Sequence, residues 1–130
     1  MLDAFLVPAK TVVTAKGDSE PLDISGANSR VFLLTLLISS IVEQEGMDVL
    51  VYTSADGTTW DTKAVGGMEQ KFYPGEYPLM VDLSEKPDAK FVRVHWDVYR
   101  WGRGGTNPSF EISIRLREVS QEALREAAGN

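Results

Sequence analysis

Few side chains in this sequence could carry acid–base or nucleophilic chemistry. The chain contains one histidine, His95, and no cysteine. A catalytic triad needs a histidine between a nucleophile and a carboxylate, and a structural zinc site needs several thiolate or imidazole ligands. His95 stands among charged and aromatic residues in a segment of alternating polarity. This setting favours a surface or interface histidine over a general base, so we expect no enzyme activity.

Other patterns associated with catalysis or cofactor binding are absent or incomplete. The sequence has no Gly-x-Ser-x-Gly nucleophile elbow. The glycine-rich segment 102–105 resembles a phosphate-binding loop, but no helix pattern follows it, which favours a simple strand connection. The acidic residues near Glu45 and Asp48, and those near Asp82 and Asp88, lack EF-hand spacing and favour a solvated face. We therefore expect no metal and no cofactor.

The composition is that of one ordinary globular domain. The 130 residues are 43% hydrophobic and 25% charged, and the net charge is −6. This acidic balance disfavours binding to nucleic acid or to an anionic membrane, both of which need basic surface. Asp3 occupies a position where a signal peptide carries a basic residue, and the apolar segment 31–42 is too short to span a bilayer. We expect a protein without a signal peptide or membrane segment, either cytoplasmic or part of a particle assembled in the cytoplasm.

The segment 90–101 is the most regular strand pattern in the chain. Its alternation predicts a core face that comprises Val92, Val94, Trp96 and Val98. The opposite face mixes aromatic and polar side chains, and aromatic residues and arginine are enriched at protein interfaces. We predict partner binding by the outward residues of this segment and of the loop after it, namely Phe91, Arg93, His95, Tyr99, Trp101 and Arg103. Two alternatives stay open, which are cover by loops and a sugar-binding surface.

Two further segments indicate strands. In the segment 49–60, an apolar run precedes Asp56-Gly57, a pair typical of a tight hairpin because both residues accept positive φ. Trp60 follows, and we expect it to anchor the core or a loop. The segment 30–42 is apolar on both faces if it is a strand, so both faces need cover. One face meets the opposite sheet, and the other meets an N-terminal arm, a loop or another protein.

The order of these segments predicts an all-β protein. Seven or eight short strands with turn signals between them are typical of an antiparallel β-sandwich or jelly roll. Residues 61–75 are expected to form a long loop with one short strand near 63–65. We expect an N-terminal arm or edge strand at 1–9, the β-sandwich domain at 10–118, and a short C-terminal helical tail at 119–130. Ser120 is the expected N-cap of that helix.

The hairpin segment is similar to one found in discoidin-like, galactose-binding-like jelly rolls. Residues 54–60 read Ser-Ala-Asp-Gly-Thr-Thr-Trp, which resembles the Ser-x-Asp-Gly-x-x-Trp hairpin of that family. Residues 90–94 and 110–117 resemble later strands of the same domains. This resemblance implies a carbohydrate-binding module, in which Arg93, His95, Tyr99 and Trp101 form the sugar platform.

A second resemblance covers the whole chain. Small cysteine-free β-sandwich proteins of tailed-phage and prophage structural modules are similar in the order of their features. Here these features are the strand 22–24, the apolar strand 31–42, the hairpin 56–60, the strand 93–96 and the segment 108–110. The resemblance implies a non-catalytic virion component, such as a capsid decoration protein, assembled in the host cytoplasm. Such a protein binds a protein lattice or its own copies as a homo-oligomer, through the 91–103 face and the two termini.

Overall fold

The computed structural model describes residues 1–41, 45–71, 73–100, 109–120 and 122–123, with Arg100 described for its backbone only. It contains nine strands, all paired antiparallel. They are β1 (Asp3–Val13), β2 (Gly17–Asp18), β3 (Leu22–Asp23), β4 (Val31–Ile41), β5 (Glu45–Ser54), β6 (Gly66–Lys71), β7 (Gly75–Asp82), β8 (Phe91–Arg100) and β9 (Phe110–Glu118). The predicted all-β antiparallel sandwich is confirmed. No helix in the described part of the chain is long and apolar enough to cross a membrane.

The strands form two sheets in jelly-roll order. Sheet A has the order β1-β9-β4-β7, and sheet B has the order β2-β8-β5-β6. The short strand β3 also pairs with β8, next to β2, so that β2 and β3 together act as one interrupted strand. Counted in this way, eight strands make two four-stranded sheets. Most connections cross from one sheet to the other, which is the arrangement of a double Greek key.

The inner faces of the two sheets form the core. Apolar side chains alternate along the central strands β4, β5, β8 and β9, because successive residues of a strand point to opposite faces. The fully buried ones include Phe32, Leu34, Leu36 and Ile38 of β4, Met47, Val49 and Val51 of β5, Val92 and Val94 of β8, and Phe110, Ile112, Ile114 and Leu116 of β9. Burying each such side chain contributes about 1.5–3 kcal/mol. Trp96 and Val98 are only partly buried and pack against this core from the side.

The expected long loop at 61–75 is wrong. Residues Gly66–Lys71 form β6, and β7 begins at Gly75. The glycines that suggested a loop instead allow close packing, because a Cβ at Gly67 would lie 2.7 Å from Cδ2 of Leu50 on the neighbouring strand. Glycine inside a strand commonly marks such an approach. The segment near 63–65 is not a strand, although the Val65 amide does donate to the Val51 carbonyl at 2.8 Å.

Both edges of sheet A contain a proline. Strand β1 runs across the expected boundary between residues 9 and 10, and its pairing with β9 shifts between Val7 and Thr11, around Pro8. Lys10 has a positive φ of 62° at this irregularity. Pro78 lies on β7 at the other edge. Edge strands accept proline because the missing N–H is not needed for pairing.

The expected helical tail is described at a few residues only. Ser120 Oγ accepts a hydrogen bond from the Ala123 amide at 3.1 Å, which is the contact of an N-cap. Residues 122 and 123 are helical. Residue 121 and residues 124–130 lie outside the described residues.

The carboxylate of Glu118 ties three segments together at the end of β9. Its side chain is 3% exposed. Oε1 accepts the Leu2 amide, and Oε2 accepts the amides of Asn28 and Ser29 at 3.1 and 3.0 Å. The Glu118 amide in turn donates to the Leu2 carbonyl at 2.9 Å. One buried side chain thus fixes the N-terminus, the β3–β4 connection and the last strand.

Replacing Glu118 with alanine should lower the free energy of unfolding by about 3 kcal/mol. The substitution leaves three amides without their acceptor, that of the buried Ser29 among them. Hydrogen bonds to a charged group contribute about 1.5–3 kcal/mol each, with incomplete additivity. Urea unfolding followed by tryptophan fluorescence measures the change. The control is Glu111→Ala on the same strand, where the carboxylate accepts only the exposed Ser39 hydroxyl. Equal stability of E118A and the wild type would contradict this role.

Candidate functional site

The outward row of β8 lies on the open face of sheet B. Along this row, Phe91 is opposite Ser54, Arg93 is opposite Tyr52, His95 is opposite Leu50, Asp97 is opposite Asp48 and Tyr99 is opposite Gly46. Asp97 is exposed and the other four β8 side chains are partly buried. The predicted alternation of this strand is therefore correct. Its neighbours on β5 and β2 decide which of the outward residues share a site.

Two of the predicted residues, Arg93 and His95, belong to one polar cluster, which we call the Arg93 cluster. Its members are Asp18, Tyr52, Trp60, Arg93 and His95. An Asp18 oxygen lies 3.0 Å from Nδ1 of His95 and 3.9 Å from Nε of Arg93. Because a carboxylate only accepts, His95 carries its hydrogen on Nδ1. The Arg93 guanidinium lies 4.4 Å from the centre of the Trp60 ring, a cation–π contact.

The loop before Trp60 holds this ring in place through side-chain to backbone hydrogen bonds. Ser54 Oγ lies 2.6 Å from the Thr59 carbonyl, to which it donates, and accepts the Gly57 amide at 2.9 Å. Asp56 Oδ1 accepts the amides of Thr58 and Thr59 at 2.9 and 2.8 Å. A single bridge between Ser54 and Trp60 closes the loop.

The expected tight Asp-Gly hairpin is wrong in its details. Gly57 has a φ of 82°, but Asp56 does not have positive φ, which a primed two-residue turn needs at both positions. Asp56 instead binds the backbone with its side chain, and the loop spans 55–59. Trp60 is half-buried against Arg93 and is not part of the core cluster, so it anchors a loop and contributes to the surface.

The remaining predicted residues lie apart from the Arg93 cluster. The Phe91 ring packs over Gly57, and the Tyr99 ring packs over Gly46, where a Cβ would lie 2.6 Å from the ring. The Tyr99 hydroxyl donates to Asp48 at 3.1 Å. Burial, and then the negative charge of Asp48, raise the pKa of Tyr99. Six residues of strand separate Tyr99 from Arg93, or about 20 Å. Trp101 and Arg103 lie outside the described residues.

Sequence reasoning missed three members of the cluster. Tyr52 could have been found, because it alternates with the buried Val51 and Thr53 and so faces the same side as its β8 neighbours. Trp60 was noticed but assigned to anchoring alone. Asp18 reaches His95 only because β2 pairs with β8, and this pairing joins residues 77 positions apart. No local pattern in the sequence signals that contact.

The Arg93 cluster combines a carboxylate, an imidazole, a guanidinium and two aromatic rings. Asp18 and His95 resemble the acid–base half of a triad, but Nε2 of His95 lies 3.9 Å from Asp97 and no described hydroxyl is hydrogen-bonded to it. Within the residues that the structure describes, no three histidine, aspartate or glutamate side chains come together as a metal site. Asp18 is the exposed carboxylate of the cluster, and its other four members are partly buried.

A second surface, which we call the sheet A face, lies on the opposite side of the sandwich. Strand β4 points Leu33, Thr35 and Leu37 outward, between β9 and β7. Phe5, Leu37 and Met80 are 54%, 36% and 55% exposed. The outward residues of this face are Phe5 of β1, Ser113, Arg115 and Arg117 of β9, Leu33, Thr35 and Leu37 of β4, and Glu76, Pro78 and Met80 of β7.

The described residues supply neither the N-terminal arm nor the loop that was expected to cover the second face of β4. The N-terminal segment is the strand β1, which lies beside β9 in the same sheet rather than over it. The exposed fractions of Leu37 and Met80 show that no described loop lies over them.

Charges on the sheet A face fall into two groups. Arg115 forms a bidentate pair with Asp3, which lowers the pKa of that carboxyl, and Arg117 adds a smaller electrostatic effect in the same direction. Arg117 and Glu76 are themselves exposed. Among the described residues, neither of these two forms a hydrogen bond or an ion pair. They are the charges on this face that are open to a partner.

Comparisons with known proteins do not identify the function of this chain. No family model and no curated protein matches this sequence. Among solved structures, the chain is similar to the crystal structure of the infectious bursal disease virus VP2 subviral particle, at 16% sequence identity and a TM-score of 0.48. The alignment covers 88% of this chain and 28% of the VP2 chain. A likeness at this level carries no functional argument.

The loop that holds Trp60 should contribute pH-dependent stability through Asp56. Hydrogen bonds from the Thr59 amide and then the Thr58 amide are the main causes that lower the pKa of Asp56 from 3.8 to about 2. Because the pKa is depressed in the folded state, ionised Asp56 stabilises the fold above pH 4, and this contribution disappears as the pH falls toward 2. Asp56→Asn should therefore melt below the wild type above pH 4, with a difference that shrinks between pH 4 and pH 2.

Thermal unfolding from pH 2 to pH 6 measures this difference. The control is Asp88→Asn, which changes an exposed carboxylate in the β7–β8 connection. A difference between D56N and the wild type that stays constant over the whole range would contradict the role assigned to the ionised group.

Proposed function

We propose that this protein is a non-catalytic jelly-roll subunit of a larger protein assembly, a virion component such as a phage capsid decoration protein. The observation that carries the proposal is the sheet A face. A soluble β-sandwich usually covers its sheets with polar side chains, whereas here Phe5, Leu37 and Met80 are exposed on one side of one sheet. Contiguous exposed apolar residues with a polar rim are typical of interaction sites.

The shape and chemistry of this face favour a protein as the partner. Small molecules bind in concave sites that bury most of their surface, whereas the indentation on this face, about 260 Å³ in volume and lined by Phe5, Thr35 and Glu76 among others, is open to solvent. Protein interfaces are enriched in aromatic residues, methionine and arginine. Phe5, Met80, Arg115 and Arg117 supply all three classes on this face.

The second surface of the protein supports a place within a lattice. The Arg93 cluster lies on the outer side of sheet B, and the sheet A face lies on the outer side of the other sheet. Because the two sheets pack through their inner faces, these surfaces point in opposite directions. One subunit can then contact two neighbours at once, which a lattice protein needs and a simple binding module does not.

A carbohydrate-binding module receives less support. The sugar platform implied by the discoidin resemblance needs Arg93, His95 and Tyr99 side by side, together with Trp101. Tyr99 lies about 20 Å along the strand from Arg93. Its ring packs over Gly46 and one face of the Trp60 ring is occupied by Arg93, so the aromatic faces that a sugar would use are largely taken.

Removing the apolar side chains of the sheet A face should abolish assembly. We expect the wild-type protein to co-sediment with the virus particles that are purified from cells producing this protein. The double variant Phe5→Ser, Leu37→Ser should reduce the bound fraction about tenfold or more, since interface anchors of this kind contribute more than 1 kcal/mol each. Both side chains are exposed, so the melting temperature should change little.

The matched control is Tyr73→Ser, which removes an aromatic side chain that is 67% exposed outside this face. That variant should bind as the wild type does. Absence of the protein from particles, or full binding by the F5S/L37S variant, would count against the proposed function.

A further inference from the structure

We infer that the sheet A face pairs with the same face of a second copy of this chain, about a two-fold axis that passes through Thr35. The inference rests on the proposed function and names the partner of that face. It comes from the positions of the two open charges, Arg117 and Glu76, relative to the centre of the sheet. The strand register fixes these positions.

Thr35 lies midway between the two charges. It is the outward residue between Leu33 and Leu37 on β4. Leu33 is directly opposite Arg117 on β9, and Leu37 is directly opposite Glu76 on β7. Arg117 therefore lies one strand away from Thr35 on the β9 side, and two residues toward the start of β4. Glu76 lies one strand away on the β7 side, and two residues toward the end of β4. With ordinary strand spacings, each lies about 8 Å from Thr35.

This placement is self-complementary. A two-fold rotation about an axis that lies between two facing sheets superimposes one copy on the other. If one residue of the first copy contacts a second residue of the other copy, the reciprocal contact forms as well. With the axis through Thr35 and perpendicular to the line from Arg117 to Glu76, each Arg117 meets the Glu76 of the other copy. Two identical ion pairs form. Each uses a charge that makes no ion pair within the described residues of its own chain.

The apolar residues fit the same rotation. With the strand spacings used above, the rotation brings Phe5 of each copy next to Leu37 of the other. Thr35 is small and β-branched, so it allows two sheets to approach closely at the axis. The rotation thus places two apolar contacts beside the two charge pairs, around a centre formed by Thr35 and its neighbour Arg115.

The size of the face sets the expected affinity. Four strands spaced about 4.8 Å apart and four outward positions about 6.8 Å apart give a footprint on the order of 500 Å². Standard interfaces bury about 800 Å² on each partner. An isolated pair should therefore be reversible and dissociate in the micromolar range, and assembly of many copies would strengthen it.

Charge-reversal variants of the full-length protein test this pairing directly. Sedimentation velocity over a range of protein concentrations, in about 0.1 M salt, should show a reversible wild-type dimer. Arg117→Glu and Glu76→Arg should each weaken dimerisation about tenfold or more, because each variant opposes like charges at both contacts. The double variant R117E/E76R should dimerise like the wild type.

Mixing the two single variants gives the sharpest result. In a mixed pair, the glutamate introduced at position 117 of the first variant meets the arginine introduced at position 76 of the second. At the other contact, the unchanged Glu76 of the first variant meets the unchanged Arg117 of the second. Both contacts are then attractive, so two variants that fail to pair alone should form a heterodimer. The controls are Lys63→Glu and Glu85→Arg, which make comparable charge reversals at exposed positions outside this face and should leave dimerisation unchanged.

Three results would overturn the inference. They are a wild-type protein that stays monomeric up to about millimolar concentration, single variants that dimerise like the wild type, and a mixture that pairs no better than its components. A monomeric wild-type protein would also be the result if residues 124–130 of the same chain occupied the face. Particle binding by the wild type and its loss in F5S/L37S would then still support the proposed function, with a partner other than a second copy.

Discussion

The strand β4 imposes the constraint on which the rest of the structure depends, because it is apolar on both of its faces. Its inner residues Phe32, Leu34, Leu36 and Ile38 are at most 1% exposed and form one wall of the core. Its central position between β9 and β7 follows from this, since a strand with so much apolar surface cannot lie at an edge. The outer residues Leu33 and Leu37 then have nowhere else to point than the open side of sheet A. The same apolar sequence that stabilises the fold creates the exposed apolar surface of sheet A.

Much of the fold could be predicted because strand alternation is a local signal. The core residues of β8 and β9 follow from a period of two along the sequence, as does the strand character of 31–41. The prediction failed where one residue type has two structural uses. Glycine suggested a loop at 61–75, whereas Gly67 lies in a strand, where a Cβ would come within 2.7 Å of Cδ2 of Leu50. Only the packing between neighbouring strands separates these two uses of glycine.

The candidate sites were less predictable because they are assembled from distant strands. The outward residues of β8 were correctly assigned to one face of sheet B, but this face is longer than a single binding site. Arg93 and His95 share a site with Asp18 of β2 and Trp60 of a loop, whereas Tyr99 belongs to a separate contact with Asp48. The sheet A face was anticipated only as the unassigned second side of 30–42. Its open charges lie on β7 and β9. Their symmetric positions depend on the register between neighbouring strands, which cannot be read from any single segment of the sequence.

Electrostatics decides how such a face can pair in a protein with a net charge of −6. Two copies repel each other over distances comparable to the Debye length, which is about 10 Å in 0.1 M salt. Added salt reduces this long-range repulsion first, whereas contacts such as Arg117 with Glu76 are short and partly shielded from solvent, so salt weakens them less. Pairing should therefore be strongest at intermediate ionic strength, where the repulsion is screened and the contacts persist. The Asp3–Arg115 pair does not alter this balance, because its charges already neutralise each other within one chain. What selects a second copy is the position of two open charges about Thr35, and the overall charge of the protein opposes that selection only at a distance.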